Sequence, residues 1–182
     1  MHKRLNMKTK IVLIVGASGV GKDTILNKAK KEYSNQFNFV RRYITRAADL
    51  NEDNYYLDDY AFEILKHNSF FISSWKAHLN YYAIAKNSIQ DGINIISISR
   101  SKISDFEKIY ENVYTINISI AKEELEKRLI LRARETREEI EQRLKRVYDK
   151  IEARELIEFD NSKNIEESKL EFFKILKNIQ MK

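Results

Sequence analysis

Residues 10–24 read "KIVLIVGASGVGKDT". The apolar, β-branched run "KIVLIV" (10–15) stops at a glycine and reads as a buried strand. Residues 23–33 then show helical spacing, with Ile25, Leu26 and Ala29 on one side. Between the two lie Gly16, Gly19 and Gly21, three of only four glycines in 182 residues. Average usage would give roughly 13. Gly16, Gly21 and Lys22 meet the spacing G-x-x-x-x-G-K, in the strand–turn–helix context that a phosphate-binding loop requires. Glycine lets successive backbone N–H groups converge with no Cβ in the way. The helix N-terminus adds partial positive charge, and Lys22 reaches the β- and γ-phosphates. A tight strand-to-helix turn that happens to be glycine-rich is the alternative, and the lysine weighs against it. The expected nucleotide-binding set is therefore Gly16, Ala17, Ser18, Gly19, Val20, Gly21, Lys22, Asp23 and Thr24.

The residue after the lysine departs from the usual loop. Ser or Thr normally stands there with its hydroxyl on Mg²⁺; here it is Asp23, with Thr24 next. A carboxylate is a hard ligand suited to Mg²⁺, directly or through water. No aspartate ends the strand-like run "NIISIS" (94–99), where a second magnesium carboxylate often sits. Helix capping is the other role open to Asp23.

Working outward, composition sets limits. Cysteine is absent, which excludes disulfides and thiolate metal sites. No run approaches the ~20 apolar residues of a membrane span, and the apolar stretch after the basic "MHKRLNMKTK" is too short for a signal-peptide core. A cytoplasmic protein with no membrane partner is expected. The net charge of +6 fits small phosphorylated partners or a merely solvated lysine-rich surface. No RNA-binding aromatic motif is present, so no nucleic-acid partner is expected. The three histidines form no metal spacing, and "DLNEDN" lacks the glycine and glutamate of a calcium loop.

Along the chain, 39–46 ("FVRRYITR") reads as a strand entering a loop, and 58–67 as a short helix. Residues 70–77 and 81–85 read as extended, 93–99 and 113–119 as strands, and 101–110 as a helix. A helix over 122–132 is followed by an arginine-rich break. Thr136 and Glu139 form a capping box that starts a second helix near Arg137, whose buried face is Ile140, Leu144, Val147 and Ile151. Residues 156–160 read as a last strand. A final helix packs Phe172, Leu176 and Ile179. Strands alternating with helices predict an α/β domain, a parallel sheet with helices on both faces.

In this order, "GASGVGKDT", "RRYITR", "SWKAHLNYYAIA" and "RLILRARETREEIEQRL" resemble the guanylate-kinase-like P-loop kinases, over about residues 10–177. Within them the chain is most similar to the ribose 1,5-bisphosphate phosphokinases, which make phosphoribosyl diphosphate with ATP. The resemblance implies a single domain over 1–182 with a parallel five-stranded sheet, an acceptor-binding subdomain at about 41–85 and a lid at about 132–138. It implies ATP and Mg²⁺. It places Arg46, at the end of "Y-I-T-R", on the acceptor phosphate with Arg42 nearby, since an arginine fork meets phosphate oxygens in pairs. Tyr55 or Tyr56, and Tyr81 or Tyr82, fall where the family holds that phosphate. Arg132 and Arg143 match the lid arginines, with Arg134 and Arg137 as neighbouring candidates. "FDNS" (159–162) resembles the segment beside the nucleotide base.

The acceptor side departs from guanylate kinases, which place a glutamate before the tryptophan and aspartates on the strand matching "IISIS". Here Ser74 precedes Trp75, and Ser97 and Ser99 occupy the strand. Without a carboxylate to accept from guanine, an anionic, base-free acceptor is expected, with Arg42, Arg46 and Arg100 holding its phosphates. The expected reaction is ATP-dependent phosphorylation of ribose 1,5-bisphosphate to 5-phosphoribosyl 1-diphosphate. The rivals are guanylate kinase or another nucleoside monophosphate kinase, and a non-catalytic protein-binding domain of the same fold. The latter would be expected to lose loop glycines, Lys22 or lid arginines. A monomer or homodimer is expected.

Overall fold

In the computed structural model, residues 9–47, 53–77, 79–132, 137–146 and 150–182 are described. β1 (Thr9–Val15) forms the centre of the larger sheet. Its even residues Val12 and Ile14 enter one apolar cluster, and its odd residues Ile11, Leu13 and Val15 enter another on the opposite face. A strand buried on both faces has to be apolar throughout, and the run is.

Four more strands complete this sheet: β2 (Asn38–Phe39), β7 (Gly92–Ser97), β8 (Val113–Ser119) and β9 (Leu156–Asp160). The order is β2-β7-β1-β8-β9, every pairing parallel. One face is covered by α1 (Lys22–Tyr33), α4 (Lys122–Arg132), α5 (Arg137–Arg146) and α6 (Ile165–Met181). They supply Ile25 and Ala29, Leu125 and Leu129, Ile140 and Leu144, and Phe172, Leu176 and Ile179 to the cluster around Val12 and Ile14. Each such isoleucine, leucine or phenylalanine contributes about 1.5–3 kcal/mol by leaving water. The other face carries α3 (Ile103–Glu107), with Ile103 and Phe106 buried.

A second sheet, ordered β4-β3-β6-β5, rises beside the first. It is built from β3 (Tyr43–Ile44), β4 (Tyr55–Tyr56), β5 (Phe71–Ala77) and β6 (Asn80–Ala85), with α2 (Asp59–His67) packed on it through Phe62. Asp58 caps α2 by accepting from the Ala61 amide at 2.7 Å. Among the described residues no helix is long and apolar enough to cross a membrane.

Three readings of the sequence need correction. Residues 39–46 are not one strand. The chain leaves the larger sheet after Val40 N–H bonds the Ile95 carbonyl at 2.9 Å, crosses at Arg41 and Arg42, and enters the smaller sheet at Tyr43. The charged pair at the crossing cannot be buried in either sheet. Residues 101–110 are only partly α-helical: a 3₁₀ turn (Arg100–Lys102) leads into the five-residue α3, and Tyr110 lies beyond it as a core residue. Ile151 is not on α5. Its spacing continues the helical pattern, but it packs on the opposite face of the sheet, beside Ala153. Thr136, Val147, Arg134 and His78 lie outside the described residues, as do 133–136 of the expected lid.

Candidate active site

β1 feeds the loop at the carboxyl edge of the sheet, and α1 starts directly after it. Helices lie on both sides of the sheet, and ligands of such folds collect at this edge. Gly16 has φ of 149° and touches β8: a Cβ there would meet the Ile118 carbonyl oxygen at 2.4 Å. Gly21, at φ 87°, is the N-terminal cap of α1, and a Cβ there would meet Asn161 Nδ2 at 2.7 Å. Close packing, against the β8 backbone at Gly16 and against the Asn161 side chain at Gly21, therefore favours glycine at these two positions, as do their positive φ angles.

Lys22 Nζ curls back over the loop, donating to the carbonyls of Gly16 at 2.8 Å and Ala17 at 2.7 Å. Ser18 and Thr24 are exposed, and Val20 is buried as a plug between loop and core. The Val20 carbonyl is held by Asn161, whose Nδ2 donates at 2.8 Å while its backbone N–H bonds the Ser119 carbonyl, also at 2.8 Å. Asn161 is only 7% exposed. It belongs to the "FDNS" segment, but its grip on the loop had no local signal in the sequence.

Across a cleft from the start of α1 lies the crossing between the two sheets. This cleft is bordered by Asp23 and Asn27 of α1, Arg41 and Arg42 of the crossing, Asn54, and Ser97 at the end of β7. Arg42 Nε donates to Asn54 Oδ1 at 3.2 Å, and its NH2 lies 3.7 Å from Asp23 Oδ1. Arg42 also sits over the Tyr82 ring, 5.9 Å from its centre, while that ring stacks on Trp75 at 5.6 Å. Arg41 is paired with Asp53 at 2.6 Å, and Lys30 binds the other oxygen of that carboxylate. Burial pushes the Asp53 carboxyl up, but the hydrogen bonds and charges of Lys30 and Arg41 outweigh it and hold the group below its usual range.

Of the expected site residues, Asp23 of the nucleotide-binding set and Arg42 of the acceptor set meet at this cleft. Arg46 lies just past β3, with NH1 3.4 Å from the Ala47 carbonyl. Tyr55 is 44% exposed and sits under Arg41 and against Tyr43. Tyr81 stacks on Phe62 in the core of the smaller sheet, while Tyr56 is exposed. Ser74 pairs with Ala83 in the smaller sheet. Ser99 Oγ lies 3.1 Å from Ser101 Oγ, and Arg100 opens the 3₁₀ turn that follows. Arg132 ends α4, Arg143 lies within α5, and Arg137 starts α5 exposed, its guanidinium 3.9 Å from Glu141.

Lys30, Arg41, Asp53 and Asn54 at the cleft are not among the site residues that the sequence singles out. The "RR" pair was visible in sequence, but which arginine faced α1 was not.

The guanylate kinase family profile matches residues 8–180. Ribose 1,5-bisphosphate phosphokinase PhnN of Brucella melitensis is 39% identical over 142 residues, 74% of each chain. The protein of the same name from Rhizobium etli is 33% identical over 174 residues, 91% of this chain and 88% of that one. A bifunctional ribose 1,5-bisphosphokinase-thymidine phosphorylase of Roseobacter denitrificans is 38% identical over 146 residues, but this chain spans only 22% of its length. Among solved structures, guanylate kinase from Anaplasma phagocytophilum superposes with a TM-score of 0.66 at 21% identity, covering 96% of this chain and 87% of that one. At that identity the superposition speaks to the fold alone.

Proposed function

The chain belongs to the guanylate kinase family, and on that premise we propose that it transfers the γ-phosphoryl group of ATP to ribose 1,5-bisphosphate, giving 5-phosphoribosyl 1-diphosphate and ADP. The observation that carries this reading is the 32–39% identity to proteins named for that activity. The acceptor side agrees with it: serines stand at 74, 97 and 99, where a guanine-reading site would need carboxylates.

The loop amides and Lys22 cradle the β- and γ-phosphates. Lys22 exchanges its bonds to the Gly16 and Ala17 carbonyls for phosphate oxygens, which are stronger, charged acceptors. Arg42 and Arg46 bind acceptor phosphate and bring its 1-phosphate oxygen into line with the γ-phosphorus. That oxygen forms the new P–O bond as the bond to the β-phosphate oxygen breaks, and ADP leaves with the electron pair. The nucleophile is already an anion, so no general base is required. Catalysis rests on positioning and charge. Arg132 and Arg143 close over the transferring oxygens.

Asp23 fits a role toward Mg²⁺: it is a half-exposed carboxylate in the first turn of α1, beside Lys22. Mg²⁺ takes few protein ligands alongside phosphate and water, and here it would neutralise the charge gathering on the phosphates. Steady-state kinetics with ribose 1,5-bisphosphate and GMP at equal ATP test the proposal. A larger kcat/KM for GMP overturns it.

A further inference from the structure

Ser97 ends β7 on the face that looks toward α1, two residues beyond Ile95 of the α1-side cluster. It is 8% exposed and borders the cleft shared by Asp23, Arg42 and Asn54. Its Oγ is buried and has no hydrogen-bond partner among the described residues. A buried hydroxyl without a partner is destabilising, and most such groups in folded proteins are satisfied. Among the described residues two other buried polar atoms share this condition, Thr115 Oγ1 and Asn117 Oδ1. Thr115 is wholly buried inside the sheet, and the Asn117 side chain already donates to Glu158 at 2.7 Å. Neither borders the cleft.

The surroundings define what can satisfy Ser97. A neutral hydroxyl gives one hydrogen bond and accepts others, which matches another hydroxyl. A purine edge presenting adjacent N–H donors calls instead for a carboxylate. The cleft is cationic through Lys30, Arg41 and Arg42, partly offset by Asp23 and Asp53. Lys30 and Arg41 hold Asp53 closely, whereas Arg42 meets Asp23 only at 3.7 Å, so Arg42 is the cleft cation most readily drawn to a phosphate. An anion that also carries hydroxyls fits this pairing.

We propose that Ser97 is a specificity-determining residue of the acceptor site, its Oγ hydrogen-bonding a ring hydroxyl of the phosphorylated pentose while Arg42 holds a phosphate. This rests on the acceptor proposed above and adds which residue reads the sugar. It makes Ser97, rather than the outer Ser99, the residue that selects a pentose over a deoxypentose.

The test uses the full chain, wild type and Ser97→Ala. The acceptors are ribose 1,5-bisphosphate and its 2-deoxy and 3-deoxy analogues, and melting temperature is followed in parallel. The expected result is an acceptor KM raised about tenfold in Ser97→Ala with the KM for ATP unchanged. The defect vanishes with one deoxy analogue, because the mutation and the missing hydroxyl remove the same bond. The melting temperature does not fall, since an unpaired buried hydroxyl has been removed. An unchanged acceptor KM, an equal defect with all three acceptors, or a lowered melting temperature accompanying the kinetic loss overturns the proposal. A wild-type enzyme that fails with ribose 1,5-bisphosphate overturns the acceptor assignment as well, and the wild-type arm alone shows which of the two has failed.

Discussion

Asn161→Ala removes a side chain that ties the segment after β9 to the glycine-rich loop. The substitution removes the Nδ2 donor that satisfies the Val20 carbonyl at 2.8 Å and leaves the Asn161 backbone bond to Ser119 in place. Val20 is 1% exposed, so water does not readily replace the lost donor. A buried carbonyl left unpaired costs about 1–3 kcal/mol. At roughly 2–4 °C per kcal/mol for a domain of this size, the melting temperature falls by about 2–12 °C. The released Val20 peptide is followed by Gly21 and Lys22, so the amides that face phosphate lose their alignment. The KM for ATP rises about tenfold, equivalent to ~1.4 kcal/mol, with the acceptor KM unchanged. Asn161→Asp keeps the volume but sets an acceptor against an acceptor, and has to be at least as damaging. Thermal melting and kinetics at varied ATP provide both readings. If Asn161→Ala melts like wild type with the same KM for ATP, the clamp is not holding the loop and the reasoning fails.

Other perturbations separate the remaining roles. Lys22→Ala lowers kcat about 10²–10³-fold, the size seen when one preorganised donor to a transition state is lost, with a near-wild-type circular dichroism spectrum; wild-type turnover refutes the loop assignment. Gly21→Ala is destabilising at φ 87°, and its methyl pushes on the same Asn161 amide, so combining it with Asn161→Ala gives less than the sum of the two melting shifts. Arg132→Ala lowers kcat more than it raises the KM for ATP, the mark of a contact made in the transition state; a pure KM effect assigns it to ground-state binding. The Asp53 carboxyl is held below its ordinary value of 3.8. Its contribution is therefore present above that pH and lost as pH falls below it. The melting difference between wild type and Asp53→Asn, small for so exposed a cluster, closes in acid melting curves below about pH 4.

Local spacing made the glycine-rich turn between β1 and α1 legible: Gly16, Gly21 and Lys22 lie within seven residues, and the strand and helix around them are strongly patterned. The same is true of the parallel sheet, whose inner strands are apolar enough to be read singly. What could not be read depends on distant pairing. Tyr55 and Tyr56 form a strand only because Tyr43 and Ile44 pair with them. Residues 39–46 look continuous, yet the large sheet ends at Val40 and a different one begins at Tyr43. The serines at 97 and 99 were weighed as a pair. Strand alternation, counted from Ile93 and Ile95, puts Ser97 toward α1, whereas Ser99 lies past the strand end and meets Ser101.

The Asn161–Val20 contact joins residues 141 positions apart. The glycine-rich loop is thus finished by a segment that emerges from the ribosome long after the loop itself. Until then β1 and the loop exist without the amide that fixes Val20, and without Phe172, Leu176 and Ile179 of α6 to cover Val12 and Ile14. Contacts of such long sequence separation form late, after the entropy of closing the intervening chain has been met. A nascent or partly refolded chain accordingly has the loop's sequence but not its shape. On the proposed function, retention on immobilised ATP during refolding is expected to report completion of the whole domain, because a ligand that binds only the finished fold favours it over its precursors.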